Sequence, residues 1–137
     1  MKNSKSNYVC FLDSDDFWEK KKLEKQLSFI IKKKYNFIYS DYYFQFRNKK
    51  YLTSITSFFN YDKFIFNSAI NTSTIMINKK ILKGITFKNT QFEDYIFKCD
   101  ILKKGFSAFS GGKQALRALA QSLAHEVGPM GIHISHV

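Results

Sequence analysis

The segment YVCFLDSDDFWEKKKLEKQL, Tyr8 to Leu27, changes its hydrophobic period part-way along. A short, continuous apolar run, YVCFL, fits a buried strand. The acidic DSDD then turns the chain, and FWEKKKLEKQLSFIIKKK follows with Leu23, Leu27, Ile30 and Ile31 at helical spacing. A strand feeding a helix across so short a turn is the unit from which α/β folds are built. Asp16, with Glu19 three residues on, has the pattern of an N-cap and capping box.

The rest of the sequence extends that class. NFIYSDYYFQF and YLTSITSFF flank RNKK and read as a β-hairpin with aromatic strands. TSTIMI reads as a further strand. EDYIFKCDILKKG fits a helix with acids in its first turn, lysines in its last and Gly105 just beyond its C-cap. A parallel or mixed sheet with flanking helices is the expectation. A chain of 137 residues supports one such domain with a hydrophobic core.

Composition divides the chain at Gly105. Residues 106–137 hold the only proline, all three histidines and five alanines, whereas residues 1–105 hold every asparagine and a single alanine, Ala69. No Pro/Ser-rich linker separates the parts. Two unrelated coding sequences joined near that glycine, 1–105 and 106–137, account for the switch. The second part, GGKQALRALAQSLAHEV then IHISHV, fits an appended helix and strand. His125, His133 and His136 share no metal-ligand spacing with a cysteine or acid.

Charge and cysteine content narrow the function classes. A net charge of +11 suits nucleic acid, an anionic membrane or a phosphorylated substrate. Lysines clustered as EKKKLEK and IKKKYN, however, read most simply as the solvated side of a helix. Cys10 and Cys99 suggest no disulfide framework, so a reducing cytosol is the default. No run approaches the ~18 apolar residues of a membrane span, and the apolar run after the basic start is too short for a signal peptide.

In DSDD the cap accounts for Asp16 and leaves Asp13 and Asp15. A calcium loop would use Asp13, Asp15 and Glu24, but Phe17 and Trp18 stand where a ligand and a glycine are needed. Two readings remain open on spacing alone. One is an acidic turn, for which Asp is well suited. The other is a Mg²⁺ or Mn²⁺ site at the C-terminal end of a strand, where open α/β sheets place their ligands.

Several motifs together resemble family-2 glycosyltransferases of the GT-A fold. They are YVCFLDSDDFWEKKKLEKQLSFI, IYSDYYF, NTSTIMINKKIL and FEDYIFKCDILKKG, in family order over residues 7–105. The resemblance implies a partial GT-A, Rossmann-like sheet and sugar transfer from a nucleotide-sugar donor to a hydroxyl of a glycan or lipid-linked acceptor. It implies that Asp13 and Asp15 form the D-x-D pair serving donor and metal, with Mg²⁺ or Mn²⁺ as cofactor. Asp94 would be the catalytic base, and Glu93 would lie beside it against substrate. A cytoplasmic enzyme, peripheral on an anionic inner membrane face and without nucleic-acid partners, is the corresponding expectation. The family's opening strands would precede Tyr8, so impaired activity is expected of this chain alone.

Residues 106–137 resemble the later part of a short-chain dehydrogenase. That family sets a Tyr four residues before a catalytic Lys; here Lys113 is preceded at that distance by Phe109, which has no proton to donate. The Gly-rich dinucleotide loop is also missing, which argues against the oxidoreductase alternative. A non-catalytic basic module binding polyanions is the remaining alternative.

Overall fold

The computed structural model describes residues 5–106 and the backbone of the strand at 108–110; Lys113 and the three histidines lie outside them, as does the expected helix and strand of the tail. In chain order the elements are β1 (Tyr8–Cys10), α1 (Lys22–Lys33), β2 (Phe37–Tyr39), β3 (Tyr42–Phe46), β4 (Lys49–Thr53), β5 (Phe58–Phe59), α2 (Tyr61–Phe66), β6 (Met76–Asn78), α3 (Glu93–Lys103) and β7 (Ala108–Ser110). The class is mixed α/β, as the sequence implied.

Five strands form the main sheet in the order β1-β6-β2-β7-β5. β6 runs antiparallel to both β1 and β2, so those two point the same way. β7 pairs parallel with β2 and antiparallel with β5. The sheet is therefore mixed, and the backbone just beyond Gly105 is one of its interior strands.

Strand alternation divides the core into two layers. Cys10, Met76 and Ile38 stand in register and share one face with Ile30 of α1. Val9, Ile77 and Phe37 face the opposite side, where Phe97, Ile101 and Leu102 of α3 close the larger core. That layer is rich in ring contacts. Phe87 stacks on Phe97 with centroids 4.2 Å apart, and Phe11 meets both edge-on.

Four expectations are corrected. α1 starts at Lys22, not after Asp16, and no side chain caps it. The Asp16 N–H instead donates to the Asp13 carbonyl (3.1 Å), closing a turn, so the capping box is not formed. The buried face of α1 is carried by Gln26 and Ile30, while Leu23, Leu27 and Ile31 remain exposed. Periodicity located an apolar stripe, but hydrogen bonds from Gln26 and Trp18 to one loop rotate the helix away from it.

The hairpin is also shorter than its aromatic arms suggested. Only β3 and β4 pair as a two-stranded ribbon, and 37–39 and 58–59 belong to the main sheet. Its two-residue turn, Arg47-Asn48, has positive φ at both positions (43° and 62°), as a type I′ turn requires. Finally, TSTIMI is a strand only from Met76; Thr72–Thr74 is a single 3₁₀ turn capped by the Asn71 side chain. Gly105 does adopt positive φ (85°) after α3, and its N–H reaches the Leu102 carbonyl.

Phe97→Ala removes a fully buried ring contacted by two others. A loss of about 3–5 kcal/mol in unfolding free energy is expected from urea denaturation followed by circular dichroism.

Candidate active site

β1 and α3 deliver their acids to one open cleft of about 440 Å³. Cys10, Phe11, Leu12 and Asp13 line it from the end of β1, Glu93 and Asp94 from the first turn of α3, and Thr72 and Phe87 from between. Asp13, Glu93 and Asp94 thus share a cleft. Asp15 is exposed and does not line it, because the turn closed between Asp13 and Asp16 replaces a fully extended backbone there.

The segment Ile70–Thr74 holds both walls. Ser73 accepts the Asp13 backbone N–H on its hydroxyl (3.0 Å) and the Trp18 indole N–H on its carbonyl (2.8 Å). Next to it, the Thr74 carbonyl accepts from the buried Gln26 amide (2.7 Å), whose oxygen in turn accepts from Lys22 (2.9 Å). The Lys22 ammonium also lies 4.3 Å from the Trp18 ring centre. Asp13 is therefore fixed through its backbone, leaving its carboxylate to the solvent side.

On the other wall, Lys98 is only 3% exposed and its ammonium is fully engaged. It donates to the Ile70 carbonyl (2.8 Å), the Thr72 hydroxyl (3.2 Å) and Asp94 Oδ2 (2.9 Å). The Thr72 hydroxyl donates to that same carboxylate oxygen (3.1 Å). Asp94 precedes Lys98 by four residues, so the helix itself stacks the pair. Half of the Asp94 side chain remains exposed. Burial pushes its carboxyl upward, but the Lys98 hydrogen bond and charge, the Thr72 hydroxyl and the Tyr95 backbone N–H outweigh that and hold it below its ordinary value of 3.8. Asp94 is thus an ionised carboxylate at neutral pH, oriented at the lip of a cleft.

Among the described residues no three His, Cys, Asp or Glu side chains cluster closely enough to cage a metal ion. An open cleft presenting hard carboxylate oxygens nevertheless suits Mg²⁺ or Mn²⁺, which take one or two protein carboxylates and complete their shells with phosphate and water. Asp13 fits that role better than Asp94, whose charge is already paired.

A family model described as glycosyl transferase family 2 matches residues 1–99. The chain belongs to that family. Its mixed sheet and flanking helices are those of a partial GT-A domain. Among curated relatives, it is 34% identical to an *Escherichia coli* protein named UDP-Glc:alpha-D-GlcNAc-diphosphoundecaprenol beta-1,3-glucosyltransferase WfaP, over 79% of this chain and 43% of that one. It is 32% identical to the putative teichuronic acid biosynthesis glycosyltransferase TuaG of *Bacillus subtilis*, over 80% of this chain and 45% of that one. The chain thus spans less than half the length of these relatives.

Sequence reasoning missed Thr72, Ser73, Trp18 and Lys98. Only Lys98 left a signal, its i, i+4 spacing from Asp94. The hydroxyls of an Asn-Thr-Ser-Thr run do not reveal which distant backbone they will meet.

Because its carboxyl is lowered on folding, Asp94 stabilises the fold above its unfolded value, and that contribution is lost as pH falls through the lower native value. The stability difference between the parent and Asp94→Asn is expected to be flat from neutral pH down to about pH 4 and to shrink below it. With half of the side chain exposed, the plateau is expected to be about 1 kcal/mol or less, measured by urea denaturation across pH.

Proposed function

We propose that the protein transfers a sugar from a nucleotide-sugar donor to a hydroxyl of a glycan or lipid-linked acceptor. The observation that carries this reading is the shared cleft, with Asp13 pinned from one wall and Asp94 from the other. Asp13 would hold Mg²⁺ or Mn²⁺ against the donor diphosphate, whereas Asp15, the other member of the D-x-D pair, stands outside the cleft. When bound, that ion neutralises the charge developing on the leaving diphosphate. Asp94 accepts the proton of the acceptor hydroxyl as that oxygen attacks the sugar. Lys98 and Thr72 hold the carboxylate ionised and aimed, and Glu93 contacts substrate alongside it. Phe11 and Phe87 give the cleft an apolar flank on which water is less well held.

UDP-glucose is the donor to test first, since it is the one named for the *E. coli* relative. Isothermal titration should show UDP-glucose binding that requires Mn²⁺ and is lost in Asp13→Asn. Asp94→Asn should keep donor affinity within about twofold while transfer to a diphosphate-linked acceptor falls by about 10²–10⁴. Metal-independent binding, or full turnover in Asp94→Asn, would contradict the assignment.

For residues 106–137 the proposal is a fused, dehydrogenase-derived segment without redox activity, because Phe109 replaces the ionisable ring that chemistry needs. No change in nicotinamide absorbance is expected with any short alcohol or ketone; a sustained change would overturn it.

A further inference from the structure

We infer that the β3–β4 hairpin is the element by which the protein docks on an anionic bilayer surface. The ribbon stands outside the main sheet and both its faces are exposed. Register places Phe44 opposite Tyr51, with Phe46 next along the same face, and these rings are 57%, 52% and 53% exposed. Tyr43 and Leu52, paired on the other face, are equally open. Contiguous exposed apolar residues on this scale mark an interaction surface.

Charge selects the partner. Between Tyr42 and Thr53 the ribbon holds Arg47, Lys49 and Lys50 and no acid. All three cations lie at or next to the turn, and the Arg47 guanidinium sits 5.2 Å from the Phe46 ring centre. Aromatic rings at headgroup depth with cations beside them are the pattern of an interfacial anchor on acidic lipid. A nucleic-acid strand would be served by rings on one platform within a groove, whereas this ribbon is apolar on both faces of a projecting tip. Neutral sugars would have no use for the cations.

The base of the ribbon is firm. Tyr42 packs on the main core, the Asp41 carboxylate accepts the Ile55 N–H (2.8 Å), and the Tyr39 hydroxyl donates to the Thr56 carbonyl. Placement also fits. β1 and β2 point the same way, β1 leads to Asp13 and β2 leads into the ribbon, so cleft and ribbon leave the same edge of the sheet. Docking by the tip would hold the cleft toward the headgroups. Among the described residues no helix is long and apolar enough to cross a membrane.

Vesicle flotation tests the inference independently of sugar transfer. The parent protein should float with phosphatidylcholine vesicles containing about one third phosphatidylglycerol, and poorly with phosphatidylcholine alone. Replacing Arg47, Lys49 and Lys50 by Ser should weaken binding by on the order of 100-fold, at roughly fivefold per cation. A Phe44→Ser, Phe46→Ser, Tyr51→Ser variant should also lose it, with circular dichroism and unfolding midpoint unchanged because none of these rings is in the core. Phe46→Trp should add emission that shifts to the blue and is quenched by brominated acidic lipid. Failure of the parent to float, equal flotation of either triple variant, equal binding to zwitterionic vesicles, or tighter binding to a single-stranded oligonucleotide would each overturn it.

Discussion

A lysine ammonium buried in a protein needs an acceptor for each of its protons, and this need organises the site. Lys98 meets it with a carbonyl, a hydroxyl and a carboxylate, and two of those partners belong to the segment Ile70–Thr74. The same segment, through Ser73 and Thr74, receives hydrogen bonds from the end of β1, from the approach to α1 and from Gln26 within α1. One short stretch of backbone therefore sets the spacing between the two walls of the cleft. Among the described residues every buried side-chain nitrogen or oxygen finds a partner, so this hub carries polar groups into the interior without leaving one unmatched.

The larger part of the fold could be read from sequence because its signals are local. YVCFL declares itself as a continuous apolar run and EDYIFKCDILKKG by the acids of its first turn and the lysines of its last, and Gly105 marks a left-handed helix end that a side chain would resist. Asp13, Glu93 and Asp94 were legible as candidates from motif order, and the structure brings those three to one cleft. Asp15 was paired with Asp13 by the family resemblance, spacing alone having left an acidic turn also open, and the turn through Asp16 keeps it out of the cleft.

What escaped the sequence depends on partners far along the chain. An apolar stripe says that a helix has a preferred face, not that the neighbouring layer will take it. In α1 the polar Gln26 is buried because a carbonyl nearly fifty residues away awaits its amide, while Leu27 next to it stays in solvent (the separation is 48). Likewise, the aromatic arms NFIYSDYYFQF and YLTSITSFF each contain two strands of different sheets, and only the closing hydrogen bonds tell where one ends.

The position of β7 has a consequence for how the chain comes to be folded. It is the last described strand in sequence, yet it lies between β2 and β5 and, among the described residues, is the only link of β5 to the sheet. As the polypeptide leaves the ribosome, β1, β2 and β6 can assemble early, but β2 must wait with one hydrogen-bonding edge bare until the residues past Gly105 emerge. The final pairing spans most of the described sequence, which makes it a slow, high-contact-order event. During that interval the nascent protein carries an exposed strand edge of the kind that recruits chaperones or other copies of itself.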